Sequence, residues 1–422
     1  MAPKRSSTTI STYRQLSTKS RYDLAIALGY AVKLGEACET PHIKDILSHW
    51  PGKGTLDEYV QLFIKIVEYF TRGKDCQSLT RRHIKPITVK HCIDELVNDA
   101  TQDYFRDVPP GTETRRDVIT DTVLLVLGSW VLMRSYFTLQ RGEPRRILLA
   151  YCWNNNKEYS ESLSLEETLP DLLHKSGLLP NPNEMTALMQ GKKSEVVDRD
   201  KENDSSMSIP NIALHPSLGS VESLEISAKT LNAFKLAHLG AVRILWTNNL
   251  SRHLLLSNHA KKFYLELFAI PSALQAGPDT VLTHAGITGD LMDEVRQSYA
   301  NLFNPKRTGY WHTYLGTPLG INLWCWCLSC SSKRLRNREL KKLKSTSSVP
   351  ATLKLIDATR PRYDPDLKHL MSRRAEGWDQ REFENFWPRI VALDAHLSGS
   401  RPWSFWVIFR DRRDSVQFWT FL

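Results

Sequence analysis

Between Gln190 and Pro210 the chain reads QGKKSEVVDRDKENDSSMSIP, a dense mixture of both charges without one aromatic residue. Such a segment buries too little apolar surface to offset the entropy lost on ordering, so it reads as a disordered linker. A linker here limits what a chain of 422 residues can form. It separates an N-terminal helical domain over 21–189 from a C-terminal α+β domain over 216–422, with 190–215 between them and 1–20 a basic, disordered tail. Each part is long enough to bury a core of its own.

The expected fold class is α+β, mainly helical: two lobes, the second carrying a small antiparallel hairpin. In the first lobe, 23–37 reads as a helix weakened by Gly29. Thr55-x-x-Glu58 is a capping box, and Tyr59, Val60, Phe63, Val67 and Phe70 recur at helical spacing behind it. Helices are expected over 88–104 and 115–137, the latter apolar all round in its middle and therefore central. Arg146–Trp153 reads as a strand. Ser164-x-x-Glu167 reads as a capping box for a helix ending near Ser176-Gly177. In the second lobe, 231–239 reads as helical. Leu254–Phe268 reads as a hairpin turning at Ser257–Ala260, with Leu265 and Leu267 on one face and Tyr264, Glu266 and Phe268 on the other. Thr288 caps a helix in which Leu291, Val295, Tyr299 and Leu302 share a face. Basic residues and helix formers fill 333–344, and Phe383, Phe386, Trp387, Ile390 and Leu393 form an apolar helical face.

Charge is concentrated rather than spread. The chain carries a net +10, yet nine basic residues against one acid lie between Lys306 and Lys344, and five more without an acid lie before Asp23. The remainder is slightly acidic. Any anionic partner would therefore meet one of two local patches rather than a uniformly basic coat. The stretch 309–344 stands out twice. From Gly309 to Ser332 it has no charged side chain, and it holds Cys325, Cys327 and Cys330 interleaved with Trp324 and Trp326. It then turns basic through Lys333, Arg334, Arg336, Arg338, Lys341, Lys342 and Lys344.

The three cysteines admit three roles. They are buried as small apolar groups among the tryptophans, or acylated beside a polybasic helix, or bound to a metal such as Zn²⁺. A closed zinc site needs four ligands, and His312 is the nearest further candidate. No aromatic residue interrupts the basic run, which argues against a nucleic-acid surface, because single strands need stacking platforms among the cations. An anionic membrane face or a protein partner fits better. Thr122–Met133 is too short for a membrane span, and Gly309–Ser332 is diluted by His312, Pro318 and Asn322. The seven cysteines are odd in number, and the polar N-terminus lacks an apolar signal region, so an intracellular setting with free thiols is expected, in the cytoplasm or at a membrane face, with a nuclear location left open.

Catalytic signatures are few. The chain has no G-x-x-x-x-G-K-[ST], G-x-G-x-x-G, H-E-x-x-H or G-x-S-x-G sequence. Asp290, Asp293 and Glu294 resemble a Mg²⁺ cluster, but acids in a first helical turn also suit the helix dipole. His83 and His253 have no acid or serine at a telling spacing and read as structural. No catalytic residue and no cofactor is assigned.

Four blocks carry a resemblance: DTVLLVLGSW (Asp121–Trp130), ILWTNNLSRHLLLS (Ile244–Ser257), LELFAIP (Leu265–Pro271) and RPWSFWVIFRDRRDSVQFWTFL (401–422). They resemble blocks of a large family of filamentous-fungal proteins with no assigned activity, over most of the chain. The resemblance implies a fungal source and carries no catalytic signature. Relatives often continue past the RDRRD-like segment into transmembrane helices, whereas this sequence stops there, so an integral-membrane role is not expected. Together these features lead to a non-catalytic interaction or adaptor protein that docks through 309–344. An enzyme or accessory protein of fungal secondary metabolism and a nuclear, nucleic-acid-associated protein are the alternatives.

Overall fold

A computed structural model describes residues 16–31, 40–51, 54–71, 87–99, 103–109, 113–137, 166–175, 177–180, 225–259, 262–274, 281–305, 325, 327–345, 361 and 363–400. The expected linker, the basic tail before residue 16, the strand at 146–153 and the apolar terminus 401–422 lie outside these residues, as do 309–324 and Trp326. Among the described residues the protein is mainly helical with two small sheets, an α+β architecture.

The chain forms two compact units. The described residues of Met1–Leu179, with Asn248–Ser251 and Ile270–Met292, make the first; those of Pro180–Thr247, Arg252–Ala269 and Asp293–Leu422 make the second. The first unit thus reclaims two short segments from the second half of the sequence.

In the first unit α1 (Thr18–Ala27) starts at Ser17, whose hydroxyl accepts the Ser20 N–H, and stops before Gly29, which sits at φ +81°. It begins earlier and ends sooner than the periodicity suggests, because a left-handed glycine closes a helix. A helix that the apolar pattern does not announce, α2 (Pro41–Ser48), is opened by Thr40 as cap and Pro41 in the first turn. α3 (Leu56–Thr71) has the expected capping box: the Glu58 N–H donates to Thr55 Oγ1 at 3.2 Å and the Thr55 N–H to Glu58 Oε2 at 2.8 Å. α4 (Val89–Asn98) is capped by Thr88.

The expected helix 115–137 is two. α5 (Glu113–Trp130) ends at a left-handed Leu132, φ +60°, and α6 (Arg134–Phe137) doubles back on it. Gly128 permits this: a Cβ there would lie 2.6 Å from Phe137 Cβ. α1 packs on α3, and α3 and α4 on α5, around the fully buried Tyr59, Phe63, Phe105 and Trp130. The reclaimed segments close this core. The Leu250 N–H donates to Leu132 O at 2.8 Å, and the turn Val281–Ala285 packs against α3 and α7 (Leu169–Lys175). The cap of α7 is Thr168, bonded to the Asp171 N–H at 3.2 Å, and not Ser164.

In the second unit β2 (Arg243–Thr247), β3 (Leu255–His259) and β4 (Lys262–Phe268) form a sheet in the order β2-β4-β3, and β1 (Glu225–Ile226) pairs with β5 (Trp378–Asp379). The β3–β4 hairpin is antiparallel as expected, but β3 continues to His259, opposite Lys262, so Ser257–His259 are strand and not turn. β2 runs parallel to β4, from Arg243 opposite Tyr264 to Thr247 opposite Phe268. β4 is therefore a central strand, buried on both faces from Leu265 to Phe268. α8 (Ala233–His238) packs on β2, and α12 (Trp387–Gly399) packs on β3. α9 (Gly289–Phe303), whose residues to Met292 fall in the first unit, starts at the expected Thr288 cap and buries Leu291, Val295, Tyr299 and Leu302. α10 (Leu328–Lys344) and α11 (Pro365–Leu370) complete the unit.

Candidate functional site

α10 joins two features that the sequence places side by side. Its N-cap is Cys327, with an extended backbone at φ −63° and ψ 156°, and its sulfur accepts the Cys330 N–H at 3.4 Å. A cap side chain meets the third helical residue, so Cys327 and Cys330 converge. Cys325 brings its sulfur to the same place. The three Sγ atoms all lie within 4.8 Å of one another. Cys330 is buried, Cys325 half-buried and Cys327 exposed. Burial and the neighbouring Cys327 push the Cys330 thiol up to about 12. At Cys327 burial works in the same sense, yet hydrogen bonds from the Cys330 N–H, the Cys325 and Cys330 thiols and the Ser329 N–H outweigh it, and its thiol is lowered. Of these two sulfurs, the one at the helix start is favoured as thiolate.

Beyond the cysteines the helix divides into two halves. Leu335, Leu340 and Leu343 are buried, and α10 packs against α8. At about 100° per residue, Lys333, Arg334, Arg338, Lys341, Lys342 and Lys344 share the other half, all exposed or half-exposed. Arg336 does not belong with them. Its guanidinium turns inward, donates to Met371 O at 2.9 Å and is lowered by burial. The buried Glu339 offsets part of the charge by accepting Lys342 Nζ at 2.6 Å and lying 3.5 Å from Arg338 Nε. Lys344 rests over the ring of Tyr363, 4.5 Å from its centroid.

The remaining candidates are dispersed. Asp290 and Asp293 are exposed, while Glu294 is buried. The Glu294 carboxylate accepts the Phe386 N–H at 2.9 Å, the Asn385 N–H at 3.1 Å and Asn385 Nδ2 at 2.6 Å. It ties α9 to the start of α12. Burial raises its proton affinity and these donors offset part of that. Among the described residues, the three cysteines are the one group of His, Cys, Asp and Glu placed closely enough to hold a metal ion.

His253 has the structural environment expected for it. Its Nδ1 accepts the Phe268 N–H at 3.2 Å, so the proton sits on Nε2, 2.8 Å from Ser298 Oγ. The serine hydroxyl in turn donates to Val295 O at 2.7 Å, which leaves it no proton for the histidine to take. Burial, aided by Arg389, lowers His253 to about 3. His83 and His312 lie outside the described residues. Sequence reasoning missed two interior charges, Arg252 and Glu266, joined through both guanidinium and both carboxylate ends in a buried pair. The alternation put Glu266 on the face opposite Leu265 and Leu267, and in the fold both faces are interior from Leu265 to Phe268. No protein-family model, curated protein or solved structure matches the chain.

Proposed function

We propose that this is a non-catalytic interaction protein that docks on an anionic membrane surface through the outer half of α10. The supporting observation is the sorting of charge on that helix: six basic side chains on one accessible half, and an opposite half held in the unit's interior. A fixed, one-sided row of cations gains attraction from every member at once, about 1 kcal/mol for each near an anionic bilayer. Among the described residues no helix is long and apolar enough to cross a membrane.

Sedimentation with vesicles tests the reading. Vesicles containing phosphatidylserine should retain the protein and phosphatidylcholine vesicles should not, with retention falling as salt rises. The variant combining Lys333→Ala, Arg334→Ala, Arg338→Ala and Lys341→Ala should bind several hundredfold more weakly, on the order of 4 kcal/mol. Lys342 stays so that Glu339 keeps a counter-charge, and Arg336 stays because it is bonded inward. Equal retention of the parent and the variant would refute membrane docking; loss of binding to an acidic protein alone would move the same face to a protein partner.

A further inference from the structure

We propose that Cys325, Cys327 and Cys330 form a binding site for a thiophilic divalent ion, with Zn²⁺ the best fit. This goes beyond the docking reading and stands without it. The sulfurs converge from two different backbone conformations, extended chain and first helical turn, and all lie within 4.8 Å of one another. Tetrahedral Zn²⁺ with bonds of about 2.3 Å holds its sulfurs roughly 3.8 Å apart, so small side-chain rotations close the site. Three thiolate ligands select Zn²⁺ or Cu(I) over Mg²⁺ and Ca²⁺, which take oxygen. Two neighbouring features help. The Cys330 N–H already points at Cys327 Sγ, as a thiolate requires. The positive end of a helix of 17 residues faces a site that becomes negative when three thiolates meet one divalent ion.

Binding is a proton exchange. Three S–H bonds break, three S–Zn bonds form, three protons leave to solvent, and no electron changes hands. The fourth position of the ion goes to water or to another ligand of the chain. An ion held here pins the residue before the helix to its first turn, and so sets where α10 begins.

The full chain, freed of metal and kept reduced with a phosphine, should take up one equivalent of Co²⁺. The complex should show an intense near-ultraviolet sulfur-to-cobalt absorption and the visible bands of a tetrahedral ion, both bleached by one equivalent of Zn²⁺. Cys325→Ser and Cys327→Ser, at the more accessible positions, should each lose that signature while keeping the circular dichroism of the parent. Cys92→Ser, in α4 and outside the cluster, should keep it. The absence of a sulfur-to-cobalt band, or a band that persists in Cys327→Ser, overturns the site. So does a Cys327–Cys330 disulfide in the freshly isolated chain, which would make the cluster a redox pair.

Discussion

The buried polar residues decide how the interior of each unit responds to pH and to substitution. Arg252 and Glu266 satisfy one another in the second unit, with side chains 7% and 1% exposed. Removing one partner of such a pair strands the other, which typically costs about 3–5 kcal/mol. Arg252→Ala should therefore lower the midpoint of urea unfolding strongly. Arg252→Met with Glu266→Leu should recover most of that loss; failure of the double variant to improve on the single one would mean that the pair holds more than itself. His42 and His253 give a pH dependence. His42 bridges Tyr30 OH at 3.1 Å and Ser129 O at 3.3 Å, and burial lowers it to about 4; His253 lies near 3. Both stay neutral when folded, whereas in the unfolded chain they gain protons below about pH 6.5. Their contribution is thus fully present above that pH and is lost as pH falls toward 4 and 3. Each should cost about 1.4 kcal/mol by one pH unit below 6.5. Denaturation midpoints that stay level from pH 7.5 to 5 would show that the two rings are not buried neutral.

At the level of elements, Gly128 sets two rules in opposition. It lies inside α5, where replacing glycine by alanine ordinarily stabilises a helix by about 1 kcal/mol. Here the added methyl meets Phe137 Cβ at 2.6 Å and the Arg134 backbone at 3.0 Å. Overpacking of this kind costs about 1–3 kcal/mol, so Gly128→Ala should destabilise, and a higher melting temperature would contradict the fold-back of α6. Caps are simpler, because both partners lie within four residues. Thr55→Ala removes the bond to the Glu58 N–H and should cost about 1 kcal/mol. This explains which elements could be read directly. The capping box of α3 and the Thr288 cap of α9 were legible, since the signal and its consequence are adjacent. Ser164-x-x-Glu167 carries the same signal, yet the helix opens at Thr168, because a nearby cap competes equally well and Leu169, Leu172 and Leu173 supply the buried face.

At the scale of the molecule, two arrangements depend on partners far apart in sequence. Residues 248–251 and 270–292 return to the first unit, where Asn248 Nδ2 reaches Asp45 Oδ1 at 3.1 Å across 203 positions. The basic face of α10 likewise exists because α8 packs against its other half and Met371 O draws Arg336 inward. If that sorting governs docking, reversing exposed charge should act on association while leaving stability alone. Lys333→Glu with Lys341→Glu should abolish retention on anionic vesicles, and the urea midpoint should move by less than about 0.5 kcal/mol, as for substitutions away from packed features. A large loss of stability would place these lysines in the fold rather than on a docking face.

The sequence by itself determined the mainly helical character, the β3–β4 hairpin, the caps of α3 and α9 and the gathering of charge and cysteine in 325–344. Each follows from residues within a turn or two of one another, where side-chain spacing and backbone sterics act without outside help. The tertiary structure alone decided that β4 is central, that Glu266 and Glu294 are interior, that the helix over 113–137 breaks, and which basic residues of α10 face outward. These depend on what packs against a segment, and burial is a property of the neighbour as much as of the residue buried.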